Sequence, residues 1–260
     1  MILRRVREDV AHHNWFAVVV DLAIVVVGVF LGMQVTNWNQ GRMERLTATE
    51  YRREIIRDLE NNEADVVSRA AYYRQARSHA IAALRSLQSP GEPLGAPFLV
   101  DAYQASQGWV RPFERSAYDE MAGSGVTRRI GDSAIRSELS AYYVSARGFE
   151  QTMQITAAYR DRIRRLLDYD VQQRIRARCD DIMVDLPGGG QAARLPERCD
   201  LDLDPATIAK AVSKIRGAPG LDEDLTRQIG DIDQKLLLFE RTLRVGRRLR
   251  DHLQAAVGPA

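Results

Sequence analysis

Residues 15–40 read WFAVVVDLAIVVVGVFLGMQVTNWNQ. From Trp15 to Thr36 the run is about 22 residues, enough at the helical rise to cover the roughly 30 Å hydrocarbon core of a bilayer. Indole rings favour the membrane–water boundary, and Trp15 and Trp38 stand at the two ends. The stretch therefore reads as a transmembrane anchor over residues 15–38. A cleaved signal peptide and a buried core helix are the competing readings. The run is long for the apolar region of a signal, and no clear small-x-small cleavage pattern follows it. A core helix seldom joins such solid Val/Ile/Leu content to such polar flanks.

Asp21 interrupts this run about 9 Å inside Trp15 by helical rise. An ionised side chain is costly in hydrocarbon, less so at shallow depth and less again when protonated. At about 100° per residue, Asp21, Val25, Gly28, Gly32, Val35 and Asn39 fall on one stripe. Gly28 and Gly32 form a G-x-x-x-G pair, which lets two helix backbones approach closely. Asp21, Gly28 and Gly32 are thus expected to form a helix-pairing face, against a second copy or another membrane protein. The competing reading has Asp21 reaching the cytoplasmic interface and the glycines incidental.

Beyond the span, the 260 residues are 45% hydrophobic and 28% charged, which suits one or two domains with a real core. The net charge is only +2, from 37 basic and 35 acidic residues, so no global field argues for nucleic acid as a partner. Orientation is evenly balanced by charge. Arg4, Arg5 and Arg7 precede the span; Arg42, Arg45, Arg52 and Arg53 follow it. The cysteines weigh more. Cys179 and Cys199 bracket a loop with Gly188, Gly189 and Gly190 at its tip. A disulfide there would restrict the unfolded chain by roughly 3 kcal/mol and would favour an oxidising compartment such as the bacterial periplasm. Two unrelated free thiols are the alternative. The expected organisation is a cytoplasmic tail at 1–14, the anchor at 15–38 and an external domain at 39–260.

That domain reads as helix after helix. Between Ala48 and Leu87 there is no Gly or Pro, and Leu59, Val66, Tyr73, Ala80 and Leu87 recur every seventh residue. Such a rod is about 60 Å long and could continue straight from the span. Residues 89–97, SPGEPLGAP, end it. Two short helices follow, in 98–109 and after Pro112. A second long helical stretch is expected over 133–178, with a bend at Gly148. Asp204-Pro205 signals a helix start. The last helix, from near Asp222, carries Leu225, Ile229, Ile232, Leu236, Phe239, Leu243, Leu249 and Leu253 at heptad-like spacing. No strand-rich region is evident. The fold class is all-α: an N-terminal transmembrane helix continuing into a long-helix antiparallel bundle.

Two segments carry a resemblance. Asp21 within the span, with Gln34-Val35-Thr36-Asn37-Trp38-Asn39 at its end, resembles an uncharacterised bacterial family of single-pass membrane proteins. That family usually has glutamate in place of Asp21 and an Ile-Asn-Asn-Trp-Asn-type ending. Residues 116–143, SAYDEMAGSGVTRRIGDSAIRSELSAYY, are similar to its Tyr/Phe-x-Glu-x-x-x-x-Gly…Leu…Tyr-Tyr segment. The cysteine loop has no counterpart. The resemblance implies a helical fold and a bacterial inner-membrane location, and no activity, since the family is a domain of unknown function.

Candidate chemistry is sparse. Asp200, Asp202 and Asp204 have the spacing that opens a calcium loop, but Pro205 and Ala211 stand where its glycine and bidentate glutamate belong. Ser124 lacks the first glycine of a nucleophile elbow, which is Ala122. His12 and His13 lie in the tail, and His79 and His252 sit alone on expected helices. No cofactor is implied. Arg241, Arg244, Arg247, Arg248 and Arg250 could meet lipid headgroups if the last helix folds back to the bilayer; otherwise they form a solvated face. The expectation is a non-enzymatic interaction or scaffold module, with the bilayer and a homo-oligomeric or other membrane partner as contacts. The alternative is an external sensor or ligand-binding module, for which a pocket with Tyr72, Tyr142 or Arg160 converging would argue. A tail of roughly 14 residues is too short for an output domain, so such a sensor would need a separate signalling partner.

Overall fold

The computed structural model describes residues 15–89, 91, 93–155, 157–186 and 189–257. The expected tail 1–14, with its arginines and His12 and His13, and the loop-tip Gly188 lie outside the described residues. The rest is an all-α bundle with one small hairpin. Helix α1 runs unbroken through Trp15–Gln88, 74 residues and about 110 Å long. It carries the apolar run and the stalk on one axis. Residues 19–40 of α1 are exposed, whereas from Ala48 onward one face is core. Leu59, Val66, Tyr73 and Ala80, the expected seam, are all buried.

The C-terminal helix, α8 (Leu221–Val257), returns antiparallel along α1. Its Leu225, Ile232, Phe239, Leu249 and Leu253 are buried, as the heptad spacing predicts. Arg52 fastens the near end. It donates from Nε and Nη2 to Ile130 O (2.9 and 2.6 Å) and from Nη1 to Ala256 O (2.8 Å). A cation there meets, in Ala256 O, a carbonyl that the end of α8 leaves unpaired.

Between them lie α2 (Ala96–Gln104), α3 (Ser116–Ser124), a 3-10 turn (Val126–Arg129), α4 (Ser133–Gln154), α5 (Ala158–Leu166), α6 (Tyr169–Arg178) and α7 (Pro205–Arg216). Helix α3 stops where Gly125 adopts a left-handed φ of 77°. Asp132 caps α4, its Oδ1 accepting from Ile135 N at 2.9 Å. Asp204 caps α7 through Thr207 N at 2.9 Å, with Pro205 in the first turn, as expected.

The stretch 133–178 is three helices rather than one. The first break falls at Ile155 and not at Gly148, which lies inside α4. Ile155 and Leu167 take extended backbone. The break after Gln154 lets α5 bury Tyr159 and Ile163 in the far end of the core, where Tyr159 Oη donates to Ala102 O at 2.8 Å. A second departure lies in the cysteine loop, where β1 (Ile182–Asp185) pairs antiparallel with β2 (Gln191–Arg194), Ile182 opposite Arg194. Gln75 on α1 holds the strand exit at Leu195: its Nε2 donates to Leu195 O (3.1 Å) and its Oε1 accepts from Leu195 N (2.9 Å). Cys179 and Cys199 are joined in a disulfide, their Cα atoms 5.5 Å apart.

The core is a column of three clusters along α1. Nearest the span are Ile55, Leu59, Met121, Leu139, Tyr142, Tyr143 and Leu253. The middle holds Val66, Tyr72, Tyr73, Phe113, Phe149, Met153 and Phe239. The far end gathers Leu99, Tyr103, Tyr159, Ile163, Ile215 and Leu225, with Cys179 at its edge.

Candidate functional site

The most apolar window of α1 is long enough to cross a membrane, and none of it is buried within the chain. By length and composition it is fit for a membrane span or a signal sequence. Trp15 and Trp38, Asp21, Gly28 and Gly32 are all exposed. A Cβ built at Gly28 or Gly32 meets nothing within 4 Å, so the small-residue face is open.

Just past Trp38 the bundle presents a basic base. Arg42 and Arg45 are exposed on α1, and the 3-10 turn brings Arg128 and Arg129 alongside. Arg129 Nε donates to Glu44 at 3.1 Å, and its Nη2 lies 4.0 Å from a Cβ built at Gly41. These contacts stand about 5–9 Å beyond Trp38 by helical rise. The arginines of α8 stand elsewhere. Arg247 Nε and Arg250 Nη1 donate to the Glu63 carboxylate at 2.7 and 2.5 Å, and Arg248 Nη2 to Glu138 at 2.9 Å. Glu63 is about 38 Å along α1 from Trp38. Although α8 does fold back towards the apolar run, its Arg247, Arg248 and Arg250 are taken up in ion pairs with carboxylates of α1 and α4.

A polar stripe at helical spacing enters the core from α1: Asp58, Asn62, Asp65 and Arg69, all buried. Their partners are the irregular chain between α2 and α3 and the first turn of α3, whose backbone groups have no helical partner. Asp58 Oδ2 accepts from Ala117 N (3.3 Å). Asn62 bonds both Glu114 N and Glu114 O (2.8 Å each). Arg69 Nη1 donates to Arg111 O (3.0 Å). Arg69 also pairs with Asp65 at 2.5 Å and lies 5.2 and 5.3 Å from the ring centres of Phe113 and Phe149. Burial pushes the Asp65 carboxyl above its usual range, against the pull of Arg69 and Arg111. This stripe positions a loop and explains why that loop stays ordered over the core.

The sequence motifs resolve into local roles. Asp200 Oδ1 accepts from Asp202 N, Asp202 pairs with Arg178 at 3.3 Å, and Asp204 caps α7. No group of three or more metal-ligating side chains is assembled among the described residues. Ser124 Oγ donates to Met121 O at 2.9 Å. His79 and His252 are not alone: their Nδ1 atoms lie 2.7 Å from Asp101 and Glu138 respectively. These acids come from other helices, so no spacing rule could have found them.

Tyr72, Tyr142 and Arg160 do not converge. Tyr72 Oη donates to Asp181 at 3.0 Å, and Tyr142 lies beside Asn62. Arg160 instead meets Tyr73 and Lys235 at a cleft of about 200 Å³ between the Ser106–Val110 turn, the α4–α5 junction and α8. Gly108 belongs to that turn, and a Cβ there would lie 3.2 Å from Tyr73 Oη. Compared with protein-family models, curated proteins and solved structures, the chain matches none.

Proposed function

We propose that this protein is a single-pass, membrane-anchored interaction or scaffold module without enzymatic activity, its bundle on the periplasmic side of a bacterial inner membrane. One observation carries the reading. A single helix changes, without a break, from a segment that nothing in the chain covers to a segment whose heptad seam is core. Water is a poor solvent for an exposed column of Val, Ile, Leu and Phe side chains. A bilayer covers such a column, and the basic base at Arg42, Arg45, Arg128 and Arg129 then sits at headgroup depth. The Cys179–Cys199 bridge supports an oxidising compartment. The resemblance of the Asp21 span and its Asn-Trp-Asn end to an uncharacterised single-pass bacterial family agrees with it.

Asp21, Gly28 and Gly32 are the surface through which the span pairs. An acidic side chain in hydrocarbon is less costly against a partner helix than against lipid, and the glycines allow the approach. The test is the size of the complex extracted from native membranes with mild detergent. Asp21→Leu combined with Gly28→Ile is expected to shift it to a smaller species. An unchanged size would refute span pairing.

A further inference from the structure

The cleft at the Ser106–Val110 turn is lined by two cations, Arg160 and Lys235, against one carboxylate, Asp231. Arg69, Arg77 and Arg162 are each paired with a carboxylate, from Asp65, Asp233 and Asp224 respectively. Arg160 and Lys235 are not. Among the described residues neither forms an ion pair, and each is held by a backbone carbonyl instead. Arg160 Nη1 donates to Ser106 O at 2.6 Å, and Lys235 Nζ to Ile155 O at 2.9 Å. One turn along α5, Arg164 donates to Tyr103 Oη (2.9 Å) and Gln107 Oε1 (3.1 Å), again with no carboxylate. Burial pushes the Lys235 ammonium down, with Asp231 pulling it back. Burial also pushes Arg164 down, and the charge of Arg160 adds to that. Arg160 and Arg164 stand one turn apart on α5 with no carboxylate paired to either among the described residues, and a bound anion would offset their repulsion and the desolvation of Lys235.

The rest of the lining combines the apolar Val110, Met153 and Ile232 with the polar Gln107, Gln228 and Asp231. Gly108 keeps the space before the Tyr73 hydroxyl open. We propose that this cleft binds a small organic carboxylate, its anionic group against Arg160 and Lys235 and its short apolar body against Val110, Met153 and Ile232. The site is mid-bundle, on the face where α5 breaks from α4, so occupancy bears on the junction whose Ile155 carbonyl Lys235 holds.

The test is isothermal titration of the full chain in detergent with acetate, butyrate and succinate. Butyramide serves as the neutral control and inorganic phosphate as the anionic one. At least one carboxylate is expected to bind saturably and butyramide not to bind. Arg160→Gln and Lys235→Met are each expected to weaken that carboxylate by about tenfold to a hundredfold, the range for losing a hydrogen bond to a charged group. Val110→Trp, at an exposed rim position, leaves both cations in place and is expected to abolish binding by filling the cleft. It keeps the test open if a charge variant fails to fold. Arg241→Gln, on the outer face of α8, is expected to bind as the parent does. Absence of saturable carboxylate binding, equal binding of butyramide, tighter binding of phosphate, or full affinity in Val110→Trp would each overturn the proposal.

Discussion

Arg69→Met tests whether the polar stripe of α1 holds the core together. Arg69 is 1% exposed, pairs with Asp65 at 2.5 Å, donates to Arg111 O at 3.0 Å and lies over two aromatic rings. Methionine keeps much of the volume and removes the charge. Asp65 is then a buried carboxylate whose nearest remaining cation is Arg111, at 3.9 Å. Removing one partner of a buried pair costs about 3–5 kcal/mol. The residual attraction of Arg111 places this variant near the lower end, about 3 kcal/mol. Asp65→Leu with Arg69→Met deletes the stranded charge and leaves chiefly the Arg111 carbonyl unpaired, about 1–2 kcal/mol. The double variant is thus expected to be more stable than Arg69→Met alone.

Acidity gives a further check on the same pair. The folded pKa of Asp65 is raised above its unfolded value of about 3.9. Its favourable contribution is therefore complete below that value and is lost as pH rises through the folded pKa. Removing Arg69 raises the folded pKa further, so the cost of Arg69→Met should be smaller at pH near 5 than near 8. Urea unfolding of the full chain in detergent, followed by near-ultraviolet circular dichroism, reports loss of packing around the buried aromatic side chains of the bundle. A loss below 1 kcal/mol for Arg69→Met, or a double variant less stable than the single, would refute the reasoning.

Two further outcomes follow from elements already described. Cys179→Ser with Cys199→Ser opens a loop with a sequence separation of 20 and is expected to cost about 3 kcal/mol, read as the same urea shift that reductant produces in the parent. Asp132→Ala removes the cap of α4 and is expected to cost about 1 kcal/mol, with Asp132→Asn recovering most of it.

The seams of α1 and α8 were legible because a buried stripe repeats at the helical period, and Leu59, Val66, Tyr73, Leu225, Ile232 and Phe239 obey it. Cys179 and Cys199 were legible as the chain's two cysteines. The break after Gln154 was not, because it contains no glycine beyond the helix and no proline. What ends α4 is the gain from turning Tyr159 and Ile163 into the far cluster, a tertiary effect that overrides local propensity. The stripe from Asp58 to Arg69 has the spacing of a solvated face. Only the loop laid across it makes those side chains internal. The hairpin escaped notice for a similar reason: each strand has four residues and depends on Gln75 and the disulfide for its place. The cleft was half visible, since Arg160 was a candidate, but its companions Lys235 and Tyr73 come from helices far away in sequence.

The unbroken α1 has a mechanical consequence. No hinge separates the apolar segment from the stalk, and the rod's far end at Gln88 stands about 75 Å beyond Trp38. With the apolar segment in a bilayer, as proposed, it would act as a lever pivoted at the bilayer surface. Transmembrane helices adjust their tilt to bilayer thickness and to neighbours over tens of degrees, and a change of about 10° would sweep the tip sideways by about 13 Å. Thickness or pairing at the level of Gly28 and Gly32 would then be read out as displacement at the disulfide-closed end of the bundle.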